Sequence, residues 1–113
     1  MNIQTFEQLC QAHCTPMEGQ AAMTEAQIAE QLSVLPGWQH EGGFIRATYS
    51  FGNYYETLAF VNAIAWIFHA EDHHPNLSVD YNRCSVAFNT HSVKGISIND
   101  FICAAKVDAL YGQ

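Results

Sequence analysis

At 113 residues, 49% of them hydrophobic and only 13% charged, the chain is sized for one domain that buries a core without metal or disulfide support, and its composition excludes an extended disordered chain. Four basic residues (Arg46, Arg83, Lys94, Lys106) face eleven acids, a formal charge of -7, so no basic stripe exists to neutralise phosphates, which argues against direct nucleic-acid binding and against an anionic membrane surface. No apolar run approaches the ~20 residues of a membrane span, and "MNIQTFEQLC" carries no basic or apolar signal region, so a cytoplasmic protein is the expectation.

Residues 1–23 read as an N-terminal extension, with one short helix over "FEQLCQAHC" and a loop over "TPMEGQAAM". The domain itself, residues 24–113, opens at Thr24. With Gln27 three positions on, Thr24 makes a capping box; Ile28, Leu32 and Leu35 follow at helical spacing until Pro36-Gly37 stops the run. "WQHE", the Gly42-Gly43 pair and "FIRATYSF" then read as a hairpin. In its second strand Ile45, Ala47, Tyr49 and Phe51 alternate with Arg46, Thr48 and Ser50, the period of a half-buried strand.

Residues 54–70 form the long helix, with Tyr54, Leu58, Val61, Ala65 and Phe68 as its seam and Phe60, Ile64 and Ile67 widening it. So broad an apolar surface, in a chain with so few charges, predicts burial against the sheet and also against another subunit. A second hairpin follows: Leu77, Val79 and Tyr81 alternate with Ser78, Asp80 and Asn82, the chain turns at Asn82-Arg83, and Cys84, Val86, Phe88 and Thr90 return facing the core. His91 then falls on the opposite parity or just past the strand end. Ser97 with Asp100 caps the last helix, whose expected seam is Ile98, Ile102, Ala105 and Ala109. The order αββαββα is that of an α+β fold, a four-stranded antiparallel sheet with helices packed on one face.

Three histidines stand out. His73 and His74 occupy the connection closed by Pro75, and pairing across the second hairpin brings His91 back towards them, so the three imidazoles converge at one end of the sheet. Such residues serve as plain surface histidines, as metal ligands, or in proton transfer. A metal needs three or four ligands at one point, whereas adjacent His side chains diverge and no H-x-x-x-H or C-x-x-C accompanies them. Proton transfer fits better, since imidazole has an unperturbed pKa near ~6.5. Cys10 and Cys14 lie four apart around His13 without a second ligand pair, and all four cysteines read as reduced thiols. Cys84 and Cys103 fall on apolar faces that disfavour a thiolate nucleophile. No G-x-S-x-G turn and no glycine-rich phosphate cradle is present.

The stretch "EDHHPNLSVDYNRCSVAFNTHSVKGISINDF" resembles the signature of the pterin-4a-carbinolamine dehydratases. His73-His74-Pro75, the aromatic-Asn pair Tyr81-Asn82, Thr90-His91 and Asp100 stand in the family's order; "LPGW", the strand with Tyr49 and Phe51, and the helix "AFVNAIAWIFHAE" are similar too. The similarity spans residues 24–110, and the extension with Cys10 and Cys14 is similar to that of some bacterial members. The resemblance implies dehydration of 4a-hydroxytetrahydropterin, left when an aromatic amino acid hydroxylase uses tetrahydropterin, to quinonoid dihydropterin. It implies no metal and no redox cofactor. By position, His73 and His91 are the acid-base pair and His74 holds the pterin, while Asp72, Asn89, Thr90 and Ser92 line the pocket with them. The family position four before the His-His pair is often acidic; here it is His69, with Glu71 two before the pair, so the acidic pocket partner is one of these two or neither. A homodimer or homotetramer is implied as well. An animal member of the family also binds a homeodomain transcription factor as a dimerisation cofactor, a second role that nothing in this sequence shows. The main rival is a pterin-binding or transcription-regulating module of the same fold with little turnover; a metal-dependent hydrolase is a more distant third.

Overall fold

The computed structural model describes residues 3–112. Its elements are helix α1 (Phe6–Gln11), α2 (Glu25–Leu32), strands β1 (Gln39–Glu41) and β2 (Phe44–Ser50), α3 (Tyr54–Glu71), β3 (Asn76–Val79), β4 (Arg83–Phe88), a 3-10 turn (His91–Val93) and α4 (Ile98–Tyr111). The four strands form one antiparallel sheet in the order β1-β2-β4-β3. The expected α+β architecture is what the described residues adopt, with α1 added ahead of the αββαββα frame.

Local chemistry sets the element ends. Thr5, Thr24 and Ser97 each begin a helix with a complete capping box, so donors that the first turn would leave unpaired are satisfied by side chains. Gly42 and Gly43, both at positive φ (61° and 82°), make the two-residue turn between β1 and β2; this conformation matches the twist of the strands and is cheap only for residues such as glycine. Asn53 caps α3, and Asp72 ends it in the left-handed conformation, which a short polar side chain tolerates. Pro75 then holds His74 out of helical space and starts β3.

The core lies on one face of the sheet. Ile45, Ala47 and Tyr49 pair in register with Phe88, Val86 and Cys84, and all six are buried beneath α3 and α4. On the open face Arg46, Thr48 and Ser50 are exposed.

Four details differ from the expectations. Helix α2 ends at Leu32, before Pro36, and tight turns carry Leu35 and Trp38 into the core. Along α3 the buried line is Thr57, Phe60 and Ile64, and Tyr54 and Ala65 of the expected seam are exposed; the helix is apolar on so many sides that periodicity alone does not select the face. The second hairpin is shorter than the alternation suggests. β3 is an edge strand, so Leu77 and Val79, although on the core face opposite Val86 and Cys84, remain 39% exposed, and Tyr81 lies in the turn, stacked on Tyr54. Finally, α4 is buried from Asn99 through Ala105 without a break, not along one seam, because α1 packs on the side of α4 away from the sheet. The extension thus contributes Leu9 to the same core.

Candidate active site

The frame brings the end of α3, the start of β3, the end of β4 and the N-terminus of α4 together. Register alone does much of this: Asn76 pairs with Ala87, so continuing past the strand ends sets His74 across from Asn89. His91 sits just beyond β4, where a Thr90–Gly95 bridge closes a short turn. All three histidines, with Asp72, Asn89, Thr90 and Ser92, line one cavity of about 380 Å³, a size typical of small-molecule sites.

His73 is the most constrained of them. Its ring is 13% exposed and lies parallel to Phe88, at 9° and 5.9 Å between centroids. Its Nε2 donates to Asp100 Oδ1 at 2.7 Å. The other carboxylate oxygen, Oδ2, accepts from the Thr90 hydroxyl at 2.8 Å and from the Ser97 backbone N–H at 2.9 Å. Ser97 Oγ in turn donates to Thr90 Oγ1 at 2.7 Å and accepts from the Asn99 N–H at 3.2 Å. With three donors aimed at it, the Asp100 carboxylate is an acceptor on both oxygens. That fixes the proton of His73 on Nε2 and leaves Nδ1 as the ring nitrogen with no protein partner among the described residues. His74 and His91 are exposed and carry no side-chain hydrogen bond there; they line the cavity as free imidazoles.

The extension supplies another part of the lining, residues 14–18. Glu71, buried at the last turn of α3, receives the Cys14 N–H at 2.7 Å and His13 Nδ1 at 2.9 Å, with Lys106 Nζ 3.8 Å away. Burial alone would push this carboxyl up; the Cys14 N–H, His13 and the Lys106 ammonium outweigh it and hold Glu71 below the ordinary carboxylate range. Asn99 grips the next residue with both ends of its amide, accepting from Thr15 N–H at 3.2 Å and donating to Thr15 O at 2.7 Å.

Other residues singled out by sequence lie elsewhere. Tyr81 and Asn82 belong to the far end of the hairpin, where their carbonyls accept from Thr57 and Phe51. His69 is exposed, edge-on to Trp66, and outside the cavity; Glu71 lines the cavity instead. All four cysteines are free thiols. Burial pushes the Cys84 thiol up, and for Cys103 the hydrogen bond it shares with Cys14 and then burial do the same, which disfavours a nucleophilic thiolate. Sequence reading missed Glu71 as a clamp, Asn99, and residues 14–18. Nothing in local pattern marks Asn99. Glu71 carried one signal, a carboxylate at the last turn of a helix whose middle, from Leu58 to Phe68, holds no charged residue.

Comparison with known proteins gives the same picture. A family profile described as pterin 4 alpha carbinolamine dehydratase matches residues 21–110. A protein of Chromobacterium violaceum with the provisional name pterin-4-alpha-carbinolamine dehydratase is 52% identical over 103 residues, 91% of this chain and 95% of that one. A crystal structure from Brucella melitensis, titled transcriptional coactivator/pterin dehydratase, superposes with a TM-score of 0.76 at 32% identity, covering 80% of this chain and 99% of that one. A pterin dehydratase-like protein described as a RuBisCO assembly factor in the alpha-carboxysome is more distant, with a TM-score of 0.56 at 25% identity over 67% of this chain and 88% of that one. With the profile spanning most of the chain and relatives matched over nearly their whole length, this chain belongs to the pterin-4a-carbinolamine dehydratase family of hydro-lyases.

Proposed function

We propose that the protein dehydrates 4a-hydroxytetrahydropterin, the species left when an aromatic amino acid hydroxylase consumes tetrahydropterin, and returns quinonoid dihydropterin. The reaction breaks the C4a–O bond and removes the proton from N5. The hydroxyl leaves as water once protonated, and the nitrogen lone pair closes a C=N bond. One acid and one base suffice, and no electron is exchanged.

The observation that carries this reading is the single cavity shared by His73, His74 and His91, with one of the three locked by a buried carboxylate. Asp100 gives His73 a set tautomer with Nδ1 available, and His91 brings a second, exposed imidazole from the turn after β4. His73 and His91 are assigned as the proton-transfer pair, each worth roughly 10²–10⁴-fold. His74 is assigned to holding the pterin, with Asp72, Asn89, Thr90 and Ser92 completing the lining.

The test is a dehydration assay on enzymatically generated 4a-hydroxytetrahydropterin. His73→Ala and His91→Ala are expected to lower kcat by at least about 10²-fold, and His74→Ala to act chiefly on KM. The folded double variant His73→Ala/His91→Ala approaching the spontaneous rate would support the pair; wild-type turnover in that variant would sink it. A second reading has its own support, because structures of this fold are titled as a coactivator and as an assembly factor. On that reading the wild type binds pterin without accelerating its dehydration.

A further inference from the structure

Residues 14–18 line the cavity from outside the family-matched segment. Three buried polar side chains hold the extension in place. Gln31 clasps the backbone of Gln4 through both ends of its amide, Glu71 takes the Cys14 N–H, and Asn99 takes both backbone groups of Thr15. Buried amides and a buried carboxylate spent on backbone groups make a fixed wall, since leaving any of them unpaired would be costly.

This wall brings Glu18 to the cavity, where Asp72 already stands. The charge of Glu71 is answered by Lys106 and His13. The carboxylates of Glu18 and Asp72 have no hydrogen bond or ion pair among the described residues, and no lysine or arginine is in the lining. Arg46 and Arg83 sit on strands β2 and β4. Lys106 is spent on Glu71 and on the Cys10 carbonyl at 2.7 Å. Lys94, which caps the turn carrying His91, is outside the lining. A pocket with unanswered carboxylates and no lysine or arginine repels an anionic group, and because Glu18 and Asp72 are both exposed the repulsion is screened by salt.

We propose that the extension is the specificity element of the site: Glu18, together with Asp72, admits pterins whose ring substituent is uncharged and turns away those bearing a phosphate or carboxylate. This rests on the dehydratase reading and deepens it by naming the substituent class.

The experiment compares two 4a-hydroxytetrahydropterins, one with a neutral hydroxylated side chain and one with that side chain phosphorylated. For each, kcat/KM is measured with wild type, Glu18→Gln and Glu18→Lys. Wild type is expected to favour the neutral compound by at least about tenfold, with Glu18→Gln narrowing the ratio and Glu18→Lys abolishing or reversing it. The ratio is insensitive to the folded fraction, because both substrates read the same active protein. Equal use of the two compounds by wild type, or an unchanged ratio in Glu18→Lys, would overturn the proposal. If wild type accelerates neither, the dehydratase reading fails. Calorimetric binding of the corresponding neutral and phosphorylated tetrahydropterins then decides the specificity question by the same ratio and the same variants.

Discussion

Asp100 has no exposed surface, and its carboxylate accepts from His73, Thr90 and the Ser97 backbone together. Capping a helix and orienting an imidazole are thus one act performed by one side chain. Asp100→Asn keeps the shape but replaces an acceptor oxygen with an NH₂, which then confronts the His73 N–H on one side or the Thr90 and Ser97 donors on the other. We expect about 1–3 kcal/mol of lost stability from the unmatched donors, measurable by urea denaturation. At the level of turnover we expect a fall in kcat of about 10²-fold with little change in KM, since a mis-set tautomer impairs proton transfer more than binding. Wild-type kcat in Asp100→Asn would show that His73 does not depend on this partner.

At the scale of elements, the union of the extension with α3 and α4 is electrostatic at its centre. Glu71 has its carboxyl held below the ordinary carboxylate range, with burial opposing and the Cys14 N–H, His13 and Lys106 prevailing. A carboxyl depressed in the folded state adds stability that is fully present above its unfolded pKa and is lost as pH falls through the lower, folded value. The protein should therefore lose stability progressively as pH drops below about 4.5, and Glu71→Gln should flatten that acid limb. At neutral pH the same substitution removes a charge-assisted acceptor from the Cys14 N–H and His13, and about 1.5–3 kcal/mol is expected from thermal or urea unfolding. An unchanged acid limb in Glu71→Gln would mean that the charge of Glu71 does not help hold the extension, leaving that to the Gln31 and Asn99 amides and the packing of Leu9 and Phe6.

At the scale of the whole molecule, two large aromatic side chains stand uncovered on one helix face. On the outer side of α3, Tyr55 is 81% and Trp66 is 72% exposed, and exposed Ala59 lies between them at helical spacing. Large aromatic side chains this exposed on one helix face of a small protein suit a contact surface. The expected outcome is a homo-oligomer, dimer or tetramer, seen by light scattering at micromolar concentration, with Trp66→Glu shifting the mass towards the monomer while circular dichroism stays unchanged. A monomer across the accessible concentration range would contradict it. No helix among the described residues is long and apolar enough to cross a membrane.

Sequence by itself determined the elements whose signals are local. Capping boxes at Thr24 and Ser97, the Gly42-Gly43 turn, and the alternation of Ile45, Ala47 and Tyr49 depend on neighbours within a few residues, and each appears in place. The meeting of His73, His74 and His91 was legible too, because hairpin register converts sequence separation into position. Which stripe of α3 is buried was not, because Leu58, Val61 and Ala65 are as apolar as Phe60 and Ile64 and only the placement of α4 and the sheet chooses among them. Nor was the role of the extension. Glu71 reaches Cys14, Asn99 reaches Thr15 and Gln31 reaches Gln4 across 57, 84 and 27 residues, and no period or motif encodes contacts at such separations. They arise when α1 covers the far side of α4 and the backbone groups that follow must find partners. Only the tertiary structure decided that a segment outside the αββαββα frame would form part of the cavity.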